Sequence, residues 1–291
     1  MYVTVNGARL YFDVEGAGLV AEPDGMRQRP TLLLLHGGPG FDHTGFKPCF
    51  SALTDTAQIV YLDQRGQGRS GGPGMGTGSD PGTWTLDQWA DDVRGFCDAL
   101  GIERPVVLGN SFGGFVAQAY ALRHPGHTAG LILSSTAARM DLELILAAFE
   151  RRGGPAARAA AELFWSDVTT DALAPYQRDC MALYTTTHPH GLPGGNRTTV
   201  RPEVLAHFSG KVGEIWRMDF RDRLGEIACP VLVLAGDQDP VTPWEAAEEL
   251  FARLPPGPNQ LRRFPHCGHG VFRDDPDAAL EAIRGFLQQL G

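Results

Sequence analysis

The sequence predicts an α/β fold in which a mostly parallel sheet is flanked by helices. Short runs of apolar and β-branched residues alternate along the chain with segments whose apolar residues recur at helical spacing. Several of these short runs are apolar throughout, as is typical of strands buried on both faces of a parallel sheet. Strands that alternate with helices in this way are joined by right-handed crossovers.

The chain begins with a segment that predicts an antiparallel hairpin. Apolar and polar residues alternate in MYVTVNGARLYFDVEG, and Asn6 and Gly7 supply the residues of a tight turn. The segment lacks a basic stretch followed by an apolar core, so we expect no secretory signal peptide.

Two buried strands are predicted next, at Thr31–Leu35 and at residues 59–62, and each is followed by a loop that contains glycine. The loops have the sequences HGGPG and DQRGQGRS. A helix then begins after Thr85, because Thr85 and Gln88 have the spacing of a capping box, and it ends before Gly101.

Four more strands are predicted further along the chain, in PVVLGN, AGLILSST, CPVLVLAG and QLRRF. Residues 137–227, between the second and the third of them, contain no strong strand signal and predict a mostly helical insertion. We therefore divide the chain into a core, residues 1–136 and 228–291, and a helical cap, residues 137–227. An insertion at the carboxyl end of a parallel sheet lies where ligands bind in open α/β folds.

Composition and charge limit the possible partners. The chain has 291 residues and a net charge of −9, which argues against nucleic acid or an anionic membrane because both require a basic patch. The arginine pairs at 151–152 and 262–263 are expected on a solvated face. Five scattered cysteines and the absence of an apolar run of about 20 residues predict a cytoplasmic protein with reduced thiols.

Ser111 is the candidate nucleophile. Residues 109–113 have the pattern G-x-S-x-G between a predicted strand and a predicted helix, which is the context of a nucleophile elbow. Small neighbours let the strand and the helix approach each other, and the helix N-terminus favours a developing anion. The alternative is a glycine turn without a catalytic role.

A serine nucleophile needs a base and an acid that orients the base, and here the acid is expected before the histidine. Asp239 in VLVLAGDQDP is the favoured acid, and Asp237 is the alternative, otherwise a turn residue. His269 in FPHCGHG is the favoured base, and His266 is the alternative. A metal site from His266, Cys267 and His269 lacks a further ligand pair nearby, so we expect no metal.

The loop HGGPG directly follows a buried strand and is a candidate oxyanion hole. A tetrahedral intermediate requires N–H donors that are in place before charge develops. The residue after the nucleophile, Phe112, supplies one, and Gly38 is the candidate for the other. A phosphate-binding loop is excluded because G-x-x-x-x-G-K-[ST] does not occur, while a plain tight turn remains the alternative.

With these residues in place, the chain resembles the α/β-hydrolase superfamily over nearly its whole length, and the motifs HGGPG and DQRGQGRS resemble its proline iminopeptidase branch. The resemblance implies an α/β-hydrolase fold with a helical cap and the release of an amino-terminal proline from small peptides. It also implies a triad of Ser111, Asp239 and His269, with Gly38 and Phe112 as oxyanion donors.

The resemblance further implies that cap carboxylates hold the α-amino group of the substrate. Glu203 is the first choice and Glu162 the second. The cap carboxylates considered are Glu143, Glu150, Glu162, Asp167, Glu203 and Glu214.

Other functions remain open at this point. HGGPG also occurs in hydrolases of esters and lactones, so a carboxylesterase or lactonase with the same triad is the main alternative. A catalytically inactive binding protein on the same scaffold is a third. We expect a small-molecule or short-peptide substrate and no cofactor, and the sequence leaves the oligomeric state open.

Overall fold

The computed structural model describes residues 1–166, 168, 170–187 and 197–290. The strands in this part of the chain are β1 (Tyr2–Val5), β2 (Ala8–Glu15), β3 (Leu19–Glu22), β4 (Gly25–Gln28), β5 (Thr31–Leu35), β6 (Gln58–Leu62), β7 (Val106–Asn110), β8 (Gly130–Ser134), β9 (Val231–Gly236) and β10 (Gln260–Phe264). The α-helices are α1 (Leu86–Leu100), α2 (Phe112–Arg123), α3 (Leu142–Ser166), α4 (Thr170–Asp179), α5 (Pro202–Ser209), α6 (Trp244–Ala252), α7 (Val271–Asp274) and α8 (Pro276–Leu290).

Eight of the described strands form a large sheet in the order β1-β2-β6-β5-β7-β8-β9-β10. From β6 to β10 every neighbouring pair is parallel, whereas β1 with β2 and β2 with β6 are antiparallel. The predicted mostly parallel α/β fold is therefore confirmed. The predicted hairpin is also present, and its turn residues Asn6 and Gly7 both have positive φ angles, 48° and 76°.

A second hairpin, β3 with β4, is a separate two-stranded sheet that the sequence analysis does not predict. Most of its residues are exposed, so its strands show no alternation of apolar and polar residues. The sequence signal for this hairpin is its turn, Pro23-Asp24-Gly25. Turn residues are selected by local backbone geometry, so this signal does not depend on a buried face of the strands.

The central strands are buried on both faces, as predicted. In β5, Leu33 packs in one hydrophobic cluster with Val93 of α1, whereas Leu32 packs in the other with Ile283 of α8. Burial of each such side chain contributes about 1.5–3 kcal/mol to folding. The two clusters on opposite faces hold the ends of the strands, and the loops that follow them, in fixed positions.

Helix α1 has the predicted boundaries. The Thr85 hydroxyl accepts the N–H of Gln88 at 3.2 Å, and Gly101 ends the helix with a φ of 67°. The Gln88 side chain, however, donates to Asp92 and not back to residue 85, so half of the predicted capping box forms.

Helices α3 to α5 lie between β8 and β9, within residues 137–227, which we call the insertion. In the part of it that the structure describes, no strand joins the sheet, and an isolated bridge pairs Arg139 with Asp219. Helix α3 is broken at Gly154, whose φ of 74° is not helical, and Pro155 follows. None of the described helices has the length and apolar character that crossing a membrane requires.

Candidate active site

Ser111 lies in the sharp turn from β7 to α2, with φ 53° and ψ −119°. A Cβ atom on Gly109 would lie 2.2 Å from the Gly113 carbonyl oxygen, and one on Gly113 would lie 2.0 Å from that of Leu35. Side chains at these two positions would clash with the main chain, so the glycines permit the close approach of strand and helix. The strained turn presents the Ser111 hydroxyl at the carboxyl end of the sheet.

The structure brings Ser111, His269 and Asp239 into one hydrogen-bonded chain. The Oγ of Ser111 is 2.8 Å from Nε2 of His269, and Nδ1 of His269 is 2.8 Å from Oδ2 of Asp239. His269 is 5% exposed and Asp239 is 2% exposed, so water competes little for these bonds. With Asp239 ionised, Nδ1–H donates to the carboxylate, and Nε2 is left to accept the serine proton.

Asp239 is held by donors from the loop that follows β9. The N–H groups of Val241 and Thr242 donate to its Oδ1 at 2.8 and 2.9 Å, and the Thr242 hydroxyl donates to Oδ2 at 2.8 Å. The alternative acid, Asp237, instead accepts Arg263 Nε at 2.7 Å. The side chain of Asp237, the residue after β9, thus forms an ion pair with Arg263 of β10. No backbone N–H of the described residues donates to this side chain, so the expected turn-stabilising hydrogen bonds are not found there.

The alternative base, His266, is exposed, and its main-chain oxygen accepts the Thr186 hydroxyl at 2.6 Å. Only His269 of the two histidines is hydrogen-bonded to Ser111. Among the described residues no group of three or more His, Cys, Asp or Glu side chains has the arrangement of a metal site.

The HGGPG loop lies beside Ser111, the candidate nucleophile. A Cβ atom on Gly37 would lie 3.2 Å from Ser111 Cβ, and the next residue, Gly38, has a φ of 126° that favours glycine. Phe112 is the first residue of α2, where N–H groups point away from the helix. Within the described residues, neither Gly38 N–H nor Phe112 N–H donates a hydrogen bond, so both donors are available to an oxyanion.

The second motif, DQRGQGRS, supports this loop, a role that the sequence analysis missed. The Gly40 N–H donates to Gln67 Oε1 at 2.7 Å, and Gln64 Nε2 donates to the His36 carbonyl at 2.9 Å. Both glutamines are buried, with Gln67 0% and Gln64 2% exposed. The sequence did contain a signal for this role, because DQRGQGRS places two glutamines directly after a buried strand. Buried amide side chains require hydrogen-bond partners, which the neighbouring loop supplies.

His36 is itself part of this support. Its Nε2 accepts the Gln64 N–H at 3.2 Å, so Nδ1 carries the proton and donates to the Gly37 carbonyl at 2.8 Å. Burial lowers the pKa of His36 below its ordinary value, and the attraction of Asp63 opposes this only in part. The imidazole is therefore neutral near pH 7 and fixes the start of the HGGPG loop.

The two cap carboxylates chosen from the sequence are not brought to the triad. Glu203 is exposed on α5, whose inward face carries Val204 and Phe208, and Glu162 is exposed on α3 beside the buried Ala161. Helical periodicity turns each glutamate away from the buried side of its helix. Among the other carboxylates considered, Asp167 lies outside the described residues.

Glu214 differs from the other described carboxylates of the insertion, because it is neither exposed nor paired with an arginine. Its Oε2 accepts the Leu86 N–H at 3.0 Å, at the start of α1. Burial raises the pKa of Glu214 above its ordinary value, although this hydrogen bond opposes the shift. One turn further along α1, the Trp89 ring packs edge-on against Phe112 at 4.9 Å.

Two residues of the insertion contact the loops that carry Asp239 and His269 in ways that the sequence analysis did not predict. The Tyr184 carbonyl accepts the His269 N–H at 2.7 Å, and its ring meets the imidazole edge-to-face at 5.3 Å. Arg152, expected on a solvated face, donates to the Gln238 carbonyl, and burial lowers its pKa. The expectation was wrong for Arg152, whereas Arg151 is exposed.

The sheet, the elbow and the order serine, aspartate, histidine define a class of hydrolase fold. A family model described as alpha/beta hydrolase fold matches residues 30–276, and the chain belongs to this family. The resemblance drawn from the motifs is thereby confirmed at the level of the superfamily. The chain is an α/β hydrolase.

Several relatives share most of the chain. RutD of Caulobacter sp. (strain K31), which carries the name of a carbamate hydrolase, is 30% identical over 98% of this chain and 97% of its own length. A proline iminopeptidase of Levilactobacillus brevis is 30% identical over 88% of this chain and 87% of its own length. Among solved structures, a thermophilic esterase from Thermogutta terrifontis is 28% identical with a TM-score of 0.68, covering 100% of this chain and 99% of its own.

Proposed function

We propose that the protein is a serine hydrolase that cleaves its substrate through a covalent acyl-enzyme. The observation that carries the proposal is the unbroken hydrogen-bonded chain from Ser111 through His269 to Asp239. His269 takes the hydroxyl proton as Ser111 attacks the substrate carbonyl, and Asp239 stabilises the imidazolium that forms. The imidazolium then protonates the leaving group, and water releases the acyl group by the same steps in reverse.

In this mechanism the N–H groups of Gly38 and Phe112 hold the oxyanion of the tetrahedral intermediate. Their freedom from other hydrogen bonds in the described part of the chain supports the assignment. The network from Gln64, Gln67 and His36 keeps the HGGPG loop in place before charge develops, as electrostatic stabilisation requires. The insertion acts as a cap that covers these loops.

For the substrate we favour small uncharged carboxylic esters or lactones. An α-ammonium group desolvated beside Ser111 would require a carboxylate partner. Glu203 and Glu162 are exposed, and most described carboxylates of the insertion are exposed or paired with arginine. The relative named as an esterase is consistent with this choice.

Release of an amino-terminal proline is the second candidate, and Glu214 is the observation that favours it. Glu214 is half-buried and has no arginine partner in the described part of the chain. It accepts a hydrogen bond from the start of α1, the helix whose Trp89 packs against Phe112. The relatives named as proline iminopeptidases agree with this candidate. Glu214 then replaces Glu203 and Glu162 as the partner of the ammonium.

A substrate panel tests both candidates on the purified protein. Aryl esters and lactones are compared with prolyl and other aminoacyl arylamides, with Ser111→Ala as the blank. Hydrolysis of esters but not of arylamides supports the favoured class, and loss of all hydrolysis only in Ser111→Ala supports the nucleophile. Undiminished labelling of Ser111→Ala by a serine-reactive phosphonate would contradict the whole assignment.

Glu214→Gln separates the candidates further. If Glu214 pairs with an ammonium, arylamide hydrolysis loses about 2–5 kcal/mol of transition-state stabilisation, the usual cost of leaving one buried charge alone. Ester hydrolysis and the exposed control Glu203→Gln stay near wild type. Equal losses for both substrates would exclude a role in amine recognition.

A further inference from the structure

Asp274, at the end of α7, joins two segments that are far apart in the sequence. Its Oδ2 accepts the Gly268 N–H at 2.7 Å, in the loop that carries His269. From the insertion, the Thr186 N–H donates to its carboxylate at 3.2 Å, the Thr187 hydroxyl donates at 2.8 Å, and the Thr185 hydroxyl donates as well. One carboxylate thus binds the catalytic loop and the insertion together.

The same two segments touch at further points around His269. The His269 N–H donates to the Tyr184 carbonyl at 2.7 Å, and the Thr186 hydroxyl donates to the His266 carbonyl at 2.6 Å. A Cβ atom on Gly268 would lie 2.5 Å from the Tyr184 carbonyl oxygen, so the two backbones are in close contact. We call residues 184–187 the strap.

The contacts of Asp274 are of the kind that an ionised carboxylate makes, because both of its oxygens accept hydrogen bonds. In the described part of the chain its hydrogen-bond partners are all N–H or O–H donors, and no arginine or lysine there forms an ion pair with it. Burial raises its pKa, but the hydrogen bonds from the strap and from Gly268 together lower it more, so the pKa lies below its ordinary value. An amide at this position would turn an NH₂ group toward other donors.

We propose that Asp274 is a positioning residue that couples docking of the strap to the orientation of His269. The carboxylate of Asp274 accepts hydrogen bonds both from the strap and from the Gly268 N–H. With the strap held in this way, the Tyr184 carbonyl accepts the His269 N–H and fixes the main chain of His269. His269 reaches Ser111 and Asp239 in the observed geometry only with the strap docked. The inference rests on the proposed triad.

The test compares Asp274→Asn with Asp277→Asn, an exposed aspartate three residues further along. Esterolysis, labelling by a serine-reactive phosphonate and thermal unfolding are measured for both. We expect Asp274→Asn to lower kcat and the labelling rate about 10- to 100-fold, with KM changed less than about 3-fold, because a small displacement of a catalytic group has this cost. Asp277→Asn stays at wild-type values. Loss of thermal stability with an unchanged kcat would overturn the proposal.

A double-mutant cycle with Thr185→Val tests the coupling to the strap. Thr185→Val alone lowers the labelling rate, and adding it to Asp274→Asn has little further effect, because both break the same contact. Independent effects, or a wild-type rate in Thr185→Val, would show that Asp274 serves only its own loop. If Asp274→Asn does not fold, Thr185→Val and Thr186→Ala carry the test.

These outcomes are separate from a failure of the triad. If Ser111→Ala is labelled as fast as wild type, the proposed function is wrong and the rates of the Asp274 variants have no bearing on His269. If labelling requires Ser111 but is indifferent to Asp274→Asn, the triad stands and the coupling is wrong.

Discussion

Ser111 holds a backbone conformation that is unfavourable for any residue with a Cβ atom. Its φ of 53° with ψ −119° lies outside the regions that L-residues normally occupy. Such strain costs about 1–3 kcal/mol and persists only where the surrounding structure enforces it. The strain is the local cost of presenting the hydroxyl to His269.

Replacement of Ser111 by glycine should therefore raise the free energy of unfolding while abolishing activity. We expect a gain of about 1 kcal/mol, because the relief of strain exceeds the greater freedom of glycine in the unfolded chain. Ser111→Ala keeps the Cβ atom and is the matched control, which should show no such gain. Urea unfolding of both variants measures the difference, and equal stabilities would mean that the turn is unstrained.

His269 and His266 are three residues apart but have different environments. His269 is buried and bonded to Ser111 and Asp239, whereas His266 is exposed. His269→Ala should lower kcat by about 10³-fold or more, as removal of a triad base does. His266→Ala should leave kcat within a few-fold of wild type. Similar losses in the two variants would place the base elsewhere.

The packing of α2 against the strand ends explains why the elbow requires glycine. A Cβ atom on Gly113 would be 2.0 Å from the Leu35 carbonyl oxygen, which belongs to the backbone of β5 and has little freedom to move. Gly285, in the middle of α8, has no atom within 4 Å of a Cβ atom built on it. The same substitution therefore has opposite consequences in the two helices.

We expect Gly113→Ala to destabilise the protein by about 3 kcal/mol or more, because the backbone around the clash has to shift. Gly285→Ala should stabilise it by about 0.5–1 kcal/mol through the better helix propensity of alanine. Denaturant unfolding of the two variants measures both effects. A loss of stability in Gly285→Ala would show that α8 packs more tightly than the structure indicates.

The helices and strands follow closely from the sequence where one local pattern dominates. Four consecutive leucines fill residues 32–35 of β5, and Thr85 and Gly101 are capping residues, so β5 and α1 have the predicted bounds. The exposed hairpin of β3 and β4 escaped prediction because it buries no face that would impose a period on its sequence. Glu203 shows a second limit of prediction from sequence. The sequence predicts that Glu203 lies in the insertion, but it does not predict whether the side chain faces the site or the solvent.

At the level of the molecule, the proposed catalytic groups come from loops at the carboxyl ends of β5, β7, β9 and β10. Parallel strands place all these ends at one edge of the sheet, which is why such folds bind ligands there. Buried polar groups hold the loops together, among them His36, whose burial lowers its pKa, and Asp63, which accepts hydrogen bonds from His43 and Arg69.

These groups predict how stability depends on pH. Since the folded-state pKa of His36 lies below the ordinary 6.5, the unfolded chain binds more protons, and stability falls as pH drops below about 6.5. Asp63 and Asp274 have pKa values below 3.8, so their contribution is lost only in stronger acid. His36→Asn should reduce the slope between about pH 6.5 and 5 by up to about 1.4 kcal/mol per pH unit. Urea unfolding across this range is the measurement, and an unchanged slope would contradict a neutral, buried His36.

The sequence alone determined the mostly parallel α/β fold, the elbow around Ser111 and the choice of Asp239 and His269. These depend on local rules, because apolar runs, helix caps and the steric demands of glycine act over a few residues. Only the tertiary structure determined the contacts between residues that are far apart in the sequence. Ser111 and His269 are 158 positions apart, and their 2.8 Å contact exists only because parallel strands end at one edge. The strap on Asp274 and the outward direction of Glu203 likewise depend on how the insertion packs on the core, since a contact between distant segments is set by long-range packing.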